Sequence, residues 1–160
     1  MTGIQALSPQ QTRWGDFDCG DERVTSKLAR EAQRAAGGLQ SLYGVVDDTG
    51  LVLAALTLRA GVLAAPNSVL YELGHGELEV PTVHLEVLAV RRAAQGQGYG
   101  RDLMTFAARQ SERVGTLVGV RTLSLEATAG SRAFYQRLGF WSAGEAWPDG
   151  SLPMWLLLGT

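Results

Sequence analysis

The chain has 160 residues, of which 46% are hydrophobic and 19% are charged, a balance that supports a buried core and excludes global disorder. The net charge of −2 and the pI of about 5.7 disfavour broad electrostatic capture of nucleic acid, although a local basic patch is compatible with them. Cys19 is the only cysteine, which excludes an intrachain disulfide and a cysteine-based zinc site, and no metal site is predicted.

The sequence shows no signal for export or for a membrane. The N-terminal residues lack the basic-then-apolar order of a signal peptide. The longest apolar stretches, such as residues 51–58, are too short to span a bilayer. We therefore expect a cytoplasmic protein with no membrane partner, folded as a single domain over residues 1–160.

The first predicted elements are an arm and a helix. Residues 1–10 are typical of an opening strand or arm. Beyond Gly20, apolar residues recur at helical spacing and would share one face: Val24, Leu28, Ala32 and Ala35. Gly37-Gly38 is predicted to end this helix, because glycine favours helix termination.

A hairpin and a loop-rich segment are predicted next. Residues 42–46 and 51–58 are predicted strands, joined by Asp47-Asp48-Thr49-Gly50, whose residue types favour a tight turn. Residues 61–81 are predicted to be loop-rich, because Pro66-Asn67 and Gly74-His75-Gly76 interrupt any regular pattern.

A strand, a short loop and a glycine-rich turn that opens a helix follow. Val83–Val90 is the predicted strand, and the helix is predicted from Gly98 to Val114 with Leu103, Met104, Phe106 and Ala107 inside. Between them, the glycines of Gln95-Gly96-Gln97-Gly98-Tyr99-Gly100 allow backbone N–H groups to converge. The positive end of the helix dipole lies at the same place, so the turn suits a pyrophosphate. Such glycines also often form only a turn, and that alternative stays open.

Two familiar nucleotide motifs do not fit this turn. The dinucleotide fingerprint would need a glycine where Arg101 stands, and the P-loop needs a Gly-Lys-Ser/Thr ending.

The remaining predicted elements are a strand at 122–127, a short helix at 131–138 closed by Gly139, and two strands at 140–146 and 152–158 around Pro148-Asp149-Gly150. The whole order predicts a mixed α/β (α+β) fold.

Two motifs resemble the GNAT superfamily of N-acetyltransferases. The turn 95–100 resembles the family's pyrophosphate motif, Arg/Gln-x-x-Gly-x-Gly/Ala, and stands five residues after Leu88-Ala89-Val90. The run Ala133-Phe134-Tyr135, followed by Gly139-Phe140, resembles the second family signature. The resemblance implies the GNAT fold, a twisted mixed sheet of six to seven strands flanked by helices, in which the fourth and fifth strands splay apart.

The resemblance also implies acetyl-CoA as co-substrate and an amine acceptor as partner. The backbone at Leu88, Ala89 and Val90 would pair with the pantetheine amides. The backbone amides implied to hold the pyrophosphate are those of Gln95, Gly96, Gln97, Gly98, Tyr99, Gly100 and Arg101. Phe134 and Thr128 are further implied cofactor contacts, although Thr128 replaces the asparagine of many family members.

Amine acetylation needs an acceptor for the amine proton and a proton for the departing thiolate. The resemblance implies Tyr135 as the acid, with aromatic packing as the alternative. Strand alternation places Glu86 and His84 on one face, so both are candidate bases, although a lone strand histidine is more often structural. Glu86 is preferred because partial desolvation makes a carboxylate a stronger base, and a salt-bridged strand residue is the alternative. An α-amine, whose pKa is near 8, would need little help from either residue.

Three functions remain open at this point. The main expectation is N-acetylation of a small-molecule, peptide or protein amine by direct transfer in a ternary complex. Phe17-Asp18-Cys19-Gly20 and residues 80–85 resemble the toxin-type GNATs that acetylate the aminoacyl group of charged tRNA, although Val87 replaces a usual arginine of that subgroup. This alternative needs a basic patch, for which the candidates are Arg91, Arg92, Arg101, Arg109 and Arg113. A non-catalytic acyl-CoA-binding domain is the third.

The acceptor pocket and a homodimer surface are predicted only in outline. The first helix and the loops at 60–80 and 144–151 would shape the pocket, with Tyr71, Trp141 and Trp147 as candidate walls. The Trp-rich final strands offer a surface for a homodimer.

Overall fold

The computed structural model describes residues 3–64, 71, 73 and 79–159. In this part of the chain the helices are α1 (Glu22–Ala36), α2 (Tyr99–Val118) and α3 (Arg132–Arg137), with a short 3-10 helix at Arg92–Ala94. The strands are β1 (Gln5–Ala6), β2 (Ser41–Val46), β3 (Val52–Ala64), β4 (Glu79–Val90), β5 (Thr122–Ala127), β6 (Trp141–Ser142) and β7 (Leu152–Leu157).

The strands of the described residues form one seven-stranded sheet in the order β1-β2-β3-β4-β5-β7-β6. Antiparallel pairing joins β1 to β2, β2 to β3, β5 to β7 and β6 to β7. The predicted mixed α/β class, with a sheet of six to seven strands flanked by helices, is confirmed. None of the described helices is both long enough and apolar enough to cross a membrane.

The chain groups into two compact units. The first comprises residues 1–59 and 85–107, and the second comprises residues 60–84 and 108–160.

In the first unit, α1 forms as predicted. The Asp21 side chain caps it by accepting from the N–H groups of Arg23 and Val24, at 3.0 and 3.3 Å. Leu28 and Ala32 are buried on its inner face. They pack with Leu42, Val52, Ala55, Val87 and Ala89, while Val24 and Ala35 flank the cluster. Burial of this apolar stripe positions α1 against the sheet of the first unit.

The predicted hairpin turn is also confirmed. Asp47 Oδ1 accepts from the backbone N–H groups of Thr49 and Leu51, at 2.8 and 3.0 Å. Gly50 has φ +85°, a conformation that side-chain-bearing residues rarely adopt. The Thr49 hydroxyl is the main cause that lowers the pKa of Asp47 below its usual value. The turn therefore loses this carboxylate contact as the pH falls into the acid range.

Two strands are longer than predicted. β3 continues to Ala64 and β4 begins at Glu79, so the loop prediction for 61–81 is wrong at both of its ends. The physical reason is burial, since Leu63 is in an apolar cluster of the second unit against which Val80 packs. Pro66-Asn67 and Gly74-His75-Gly76 lie outside the described residues.

Two element ends also differ from the prediction. The strand predicted at 140–146 shrinks to β6, because the Trp147 N–H donates to the Ser151 carbonyl and closes a local turn. α2 runs to Val118 rather than Val114. Gly115 lies within this helix, and only a glycine fits there, because a Cβ would be 2.3 Å from the Val120 carbonyl oxygen.

Candidate functional site

β4 presents two different faces. Val83, Leu85, Val87 and Ala89 are buried, whereas the positions between them are half-buried: His84, Glu86, Leu88 and Val90. The predicted alternation is therefore confirmed. The Ala89 side chain packs in the core of the first unit, so only its backbone can face a ligand.

The glycine turn of the first unit has the shape of an anion site. Gly96 and Gly98 have φ +80° and +88°, and a Cβ built at either would meet no atom within 4 Å. The space beside both glycines is therefore open. The first N–H groups of α2, at Tyr99, Gly100 and Arg101, have no acceptor within the helix by geometry. Free donors and the helix dipole at one open turn suit a phosphate group.

Side chains of the first unit hold this turn in place. The Gln95 side-chain amide donates to the carbonyl oxygens of Cys19 and Val90, at 2.6 and 3.0 Å. Arg92 forms an ion pair with Asp18 at 3.4 Å. Gln95 thus ties the turn to the end of β4 and to the segment before α1. Any contact of Gln95 with a cofactor is then expected from its backbone.

Arg91 is engaged inside the first unit. Its guanidinium donates to the carbonyl oxygens of Val52, at 2.7 Å, and of Trp14, and it lies 5.0 Å from the centre of the Phe17 ring. The prediction that Arg91 belongs to a basic patch is therefore wrong, because this half-buried guanidinium already donates to two backbone carbonyls and does not face a phosphate. The other candidates are exposed: Arg92, Arg101, Arg109 and Arg113.

Glu86 lies between two cations of the first unit. Its carboxylate oxygens are 3.4 Å from Lys27 Nζ and 2.5 Å from Arg59 Nε. The Glu86 side chain is 14% exposed, and those of Lys27 and Arg59 are 32% and 36% exposed. The salt-bridged alternative therefore describes the surroundings of this partly buried carboxylate. Its role as a base stays a prediction.

His84 belongs to a network of buried hydroxyls in the second unit. His84 Nδ1 is 2.8 Å from Ser124 Oγ, which is 3.0 Å from Thr82 Oγ1. The Thr82 oxygen is also 3.1 Å from the Thr122 carbonyl and 3.2 Å from the Val83 carbonyl. Ser124 and Thr82 are almost fully buried. The ring of His84 is thus held from one side by β5.

His84 also lines a cavity of about 530 Å³ in the second unit. Other residues of its wall include Val62, Ser124, Glu126, Glu145 and Trp147. Its volume is within the range of small-ligand sites, roughly 300–1,000 Å³. Of the predicted wall residues, Trp147 contributes to this cavity, whereas Tyr71 and Trp141 are exposed elsewhere on the described surface.

Tyr135 is buried in α3 of the second unit. Its ring makes edge-to-face contacts with Phe134 and Phe140, at centroid distances of 5.0 and 5.7 Å. Burial raises the pKa of the Tyr135 phenol above its usual value. The hydroxyl is therefore protonated at neutral pH, as an acid must be before it reacts. The Thr128 hydroxyl donates to Ser131 Oγ at 2.9 Å in the turn before α3.

Four residues that contact the candidate bases or their partners were not predicted from the sequence: Lys27, Arg59, Thr82 and Ser124. Thr82 and Ser124 could have been found from the sequence, because each is a hydroxyl residue in a mostly apolar strand. A hydroxyl that is buried in such a strand needs a hydrogen-bond partner. For Lys27 and Arg59, which pair with Glu86 over 59 and 27 positions of the chain, no local pattern marks the contact.

Comparison with known proteins gives a family and a set of similar folds. A sequence model described as an acetyltransferase (GNAT) domain matches residues 47–142. A solved bacterial toxin is 23% identical, with 99% of this chain and 91% of that chain covered and a TM-score of 0.87. AtaT complexed with acetyl-methionyl-tRNAfMet is 23% identical, with 96% and 94% covered and a TM-score of 0.78.

A third structure shows a tyrosine-to-phenylalanine mutant of the AtaT toxin bound to the C-terminus of the antitoxin AtaR and acetyl-CoA. It is 23% identical, with 98% of this chain and 92% of that chain covered and a TM-score of 0.75. At these identities the likeness establishes the fold.

Proposed function

The chain belongs to the acetyltransferase (GNAT) family and is an acyltransferase that uses acetyl-CoA, and we propose that its acceptor is the α-amino group of an aminoacyl-tRNA. One observation carries the proposal. The fold of AtaT, solved with acetyl-methionyl-tRNAfMet, matches 96% of this chain with a TM-score of 0.78. The sequence resemblance of residues 17–20 and 80–85 to toxin-type members supports the same acceptor. An antitoxin partner is part of the proposal, because AtaT binds the C-terminus of AtaR.

A local basic surface supports contact with the tRNA backbone. α1 holds four cations, Arg23, Lys27, Arg30 and Arg34, against the two carboxylates Glu22 and Glu31. The three arginines are exposed, whereas Lys27 pairs with Glu86 and Arg34 pairs with Glu31. This helix is therefore basic although the whole chain carries −2, and phosphate contacts depend on the local charge.

Acetyl-CoA is proposed to lie as the family resemblance implies, in the gap between splayed strands. The backbone of Leu88 and Val90 would meet its pantetheine, and the turn 95–101 would hold its pyrophosphate. Phe134 and Thr128 stay predicted contacts.

The neutral amine attacks the thioester carbon, the new C–N bond forms, and the C–S bond breaks. Tyr135 gives its proton to the thiolate, and the proton that the nitrogen loses after the C–N bond has formed replaces it.

The glycine turn gives a test of the acetyl-CoA site. We expect Gly98→Ala to weaken acetyl-CoA binding about tenfold or more, because a Cβ would point into the open space where the pyrophosphate is proposed to lie. Gly119→Ala is the matched control, since Gly119 also has a positive φ and no atom within 4 Å of a Cβ. Calorimetry measures both affinities. Equal affinity in the two variants would remove the turn from the cofactor site.

The acceptor is tested with purified protein and acetyl-CoA. Charged tRNA, a peptide mixture and a set of small amines are offered separately, and acetylated products are detected by mass spectrometry. We expect acetylated aminoacyl-tRNA, together with growth arrest when the protein is expressed. Acetylation of the small amines or peptides alone would return the function to the broader N-acetyltransferase. Acetyl-CoA binding without any product would indicate a non-catalytic acyl-CoA-binding domain.

A further inference from the structure

We propose that Lys27 is a site of self-acetylation, at which the enzyme transfers an acetyl group from its own bound acetyl-CoA to the ε-amine of this residue. The inference goes beyond the aminoacyl acceptor and rests on the placement of acetyl-CoA given under the proposed function. Lys27 is the only lysine in the sequence, and its Nζ lies 3.4 Å from the Glu86 carboxylate. A lysine amine is therefore held beside the strand along which the acetyl donor is proposed to lie.

α1, which carries this lysine, packs directly on the same part of β4. Apolar residues of the two elements share one buried cluster: Leu28, Ala32, Val87 and Ala89. Leu28, the residue after Lys27, is 2% exposed, so its burial fixes which side of α1 faces the sheet. The contact between the lysine and the β4 carboxylate is therefore set by the packing of the core.

The direction of the cofactor brings its acetyl end toward Glu86. The pyrophosphate is proposed to lie at the turn 95–101, beyond the C-terminal end of β4, and the pantetheine to run along Val90 and then Leu88. The thioester end then points along β4 toward Glu86, which is two residues, or roughly 6.6 Å, from Leu88. The amine that meets this carboxylate is that of Lys27.

Lys27 differs in its chemistry from the other cation at this carboxylate. Arg59 also pairs with Glu86, but a guanidinium keeps its charge in proteins and offers no nucleophilic lone pair. A lysine ammonium becomes a nucleophile when it loses one proton. The Lys27 side chain is 32% exposed, so water can take that proton.

The atoms and protons of the step balance. The ε-ammonium group gives one of its three protons to water, and the neutral nitrogen attacks the thioester carbon. The C–N bond forms and the C–S bond breaks, while the nitrogen loses a second proton and the CoA thiolate gains one. The products are Nε-acetyl-lysine and CoA, and Lys27 loses both its charge and its ion pair with Glu86.

The main test incubates the purified wild-type protein with acetyl-CoA and no acceptor, and locates the product by mass spectrometry. We expect one acetyl group on Lys27, formed about 10²-fold faster than in the same protein unfolded in urea, because the fold holds the amine beside the donor. An equal rate in the unfolded chain would show chemical acetylation only and would overturn the inference. This comparison does not depend on the folding of any variant.

Two controls identify the modified atom and the donor site. Hydroxylamine cleaves thioesters and esters but spares amides, so the acetyl group should survive it, and Lys27→Arg should abolish the modification. Release by hydroxylamine would assign the group to the Cys19 sulfur or to a hydroxyl and would overturn the inference. Desulfo-CoA, an analogue that cannot carry an acetyl thioester, should block the reaction, whereas an unchanged rate would mean that the donor reacts from solution.

The glycine turn connects the modification with the proposed cofactor site. At acetyl-CoA concentrations below saturation, Gly98→Ala should slow the acetylation of Lys27 about tenfold or more, in step with its weaker binding. Gly119→Ala should react like the wild type. The rate should not change across a dilution series of the protein. A rate proportional to protein concentration would mean that one molecule modifies another and would overturn transfer within one chain.

Offering charged tRNA in a parallel reaction separates this inference from the proposed function. If Lys27 is acetylated but no charged tRNA is, the proposed acceptor fails and the inference stands. If charged tRNA is acetylated and Lys27 is not, the inference fails and the proposed function stands.

Discussion

Tyr135→Phe is expected to lower acetyl transfer about 10²-fold while acetyl-CoA affinity and melting temperature stay close to those of the wild type. The substitution keeps the ring, and with it the contacts to Phe134 and Phe140, but deletes the hydroxyl. The expected loss of rate is at the lower end of the range for a general acid, about 10²–10⁴-fold. The reason is that a thiolate whose thiol has a pKa near 8.5 departs moderately well without a proton donor. Steady-state kinetics, calorimetry and thermal unfolding provide the three measurements.

Acetyl donors with better leaving groups separate the acid from a packing residue. An activated thioester, whose thiolate needs no proton to depart, should show a smaller loss in Tyr135→Phe than acetyl-CoA does. If the loss is the same for every donor, or if none is seen, Tyr135 has no part in protonating the thiolate.

The same residue should affect stability at high pH. Burial raises the pKa of Tyr135 in the folded protein, so the folded state holds this proton more tightly than the unfolded chain does. Its contribution to stability is therefore complete below the ordinary tyrosine pKa of about 10 and is lost as the pH rises above it. We expect one tyrosine to ionise only on unfolding, as seen by absorbance near 295 nm, and this step to vanish in Tyr135→Phe. Tyr99→Phe is the control.

Glu86→Gln is expected to lower the free energy of unfolding by about 1–2 kcal/mol and to leave acetyl transfer per folded molecule within a few-fold of the wild type. The substitution keeps the shape of the side chain but leaves Lys27 and Arg59 without their carboxylate. The estimate is modest because both cations are about one-third exposed, and water screens them. Urea unfolding and steady-state kinetics check the two parts.

The exposed Glu79 provides the control, since Glu79→Gln removes a carboxylate from the same strand outside this pair of ion pairs. A double-mutant cycle of Glu86→Gln with Lys27→Met would measure the coupling itself. A loss of 10² in kcat, unchanged stability and the disappearance of the acidic limb of the pH–rate profile would together show that Glu86 is the base.

Local patterns in the sequence determined most of the elements and the glycine turn before α2. Helical spacing predicted α1, and turn chemistry predicted the hairpin at Asp47–Gly50. The glycines at 96 and 98 predicted an open turn before α2. These features follow from residues that are neighbours in the chain, so a sequence shows them directly. The two family motifs predicted the GNAT fold, because they add spacing information that no single element has.

Only the tertiary structure decided how the candidate site residues are held. Glu86 contacts Arg59 and Lys27, which are 27 and 59 positions away in the chain. His84 contacts Ser124, which is 40 positions away. The charge and tautomer of a side chain depend on such partners, which strand pairing and packing bring together. The predicted alternation of buried and half-buried residues along β4 was right. The partners of Glu86 and His84, which decide whether each side chain can accept a proton, are known only from the tertiary structure.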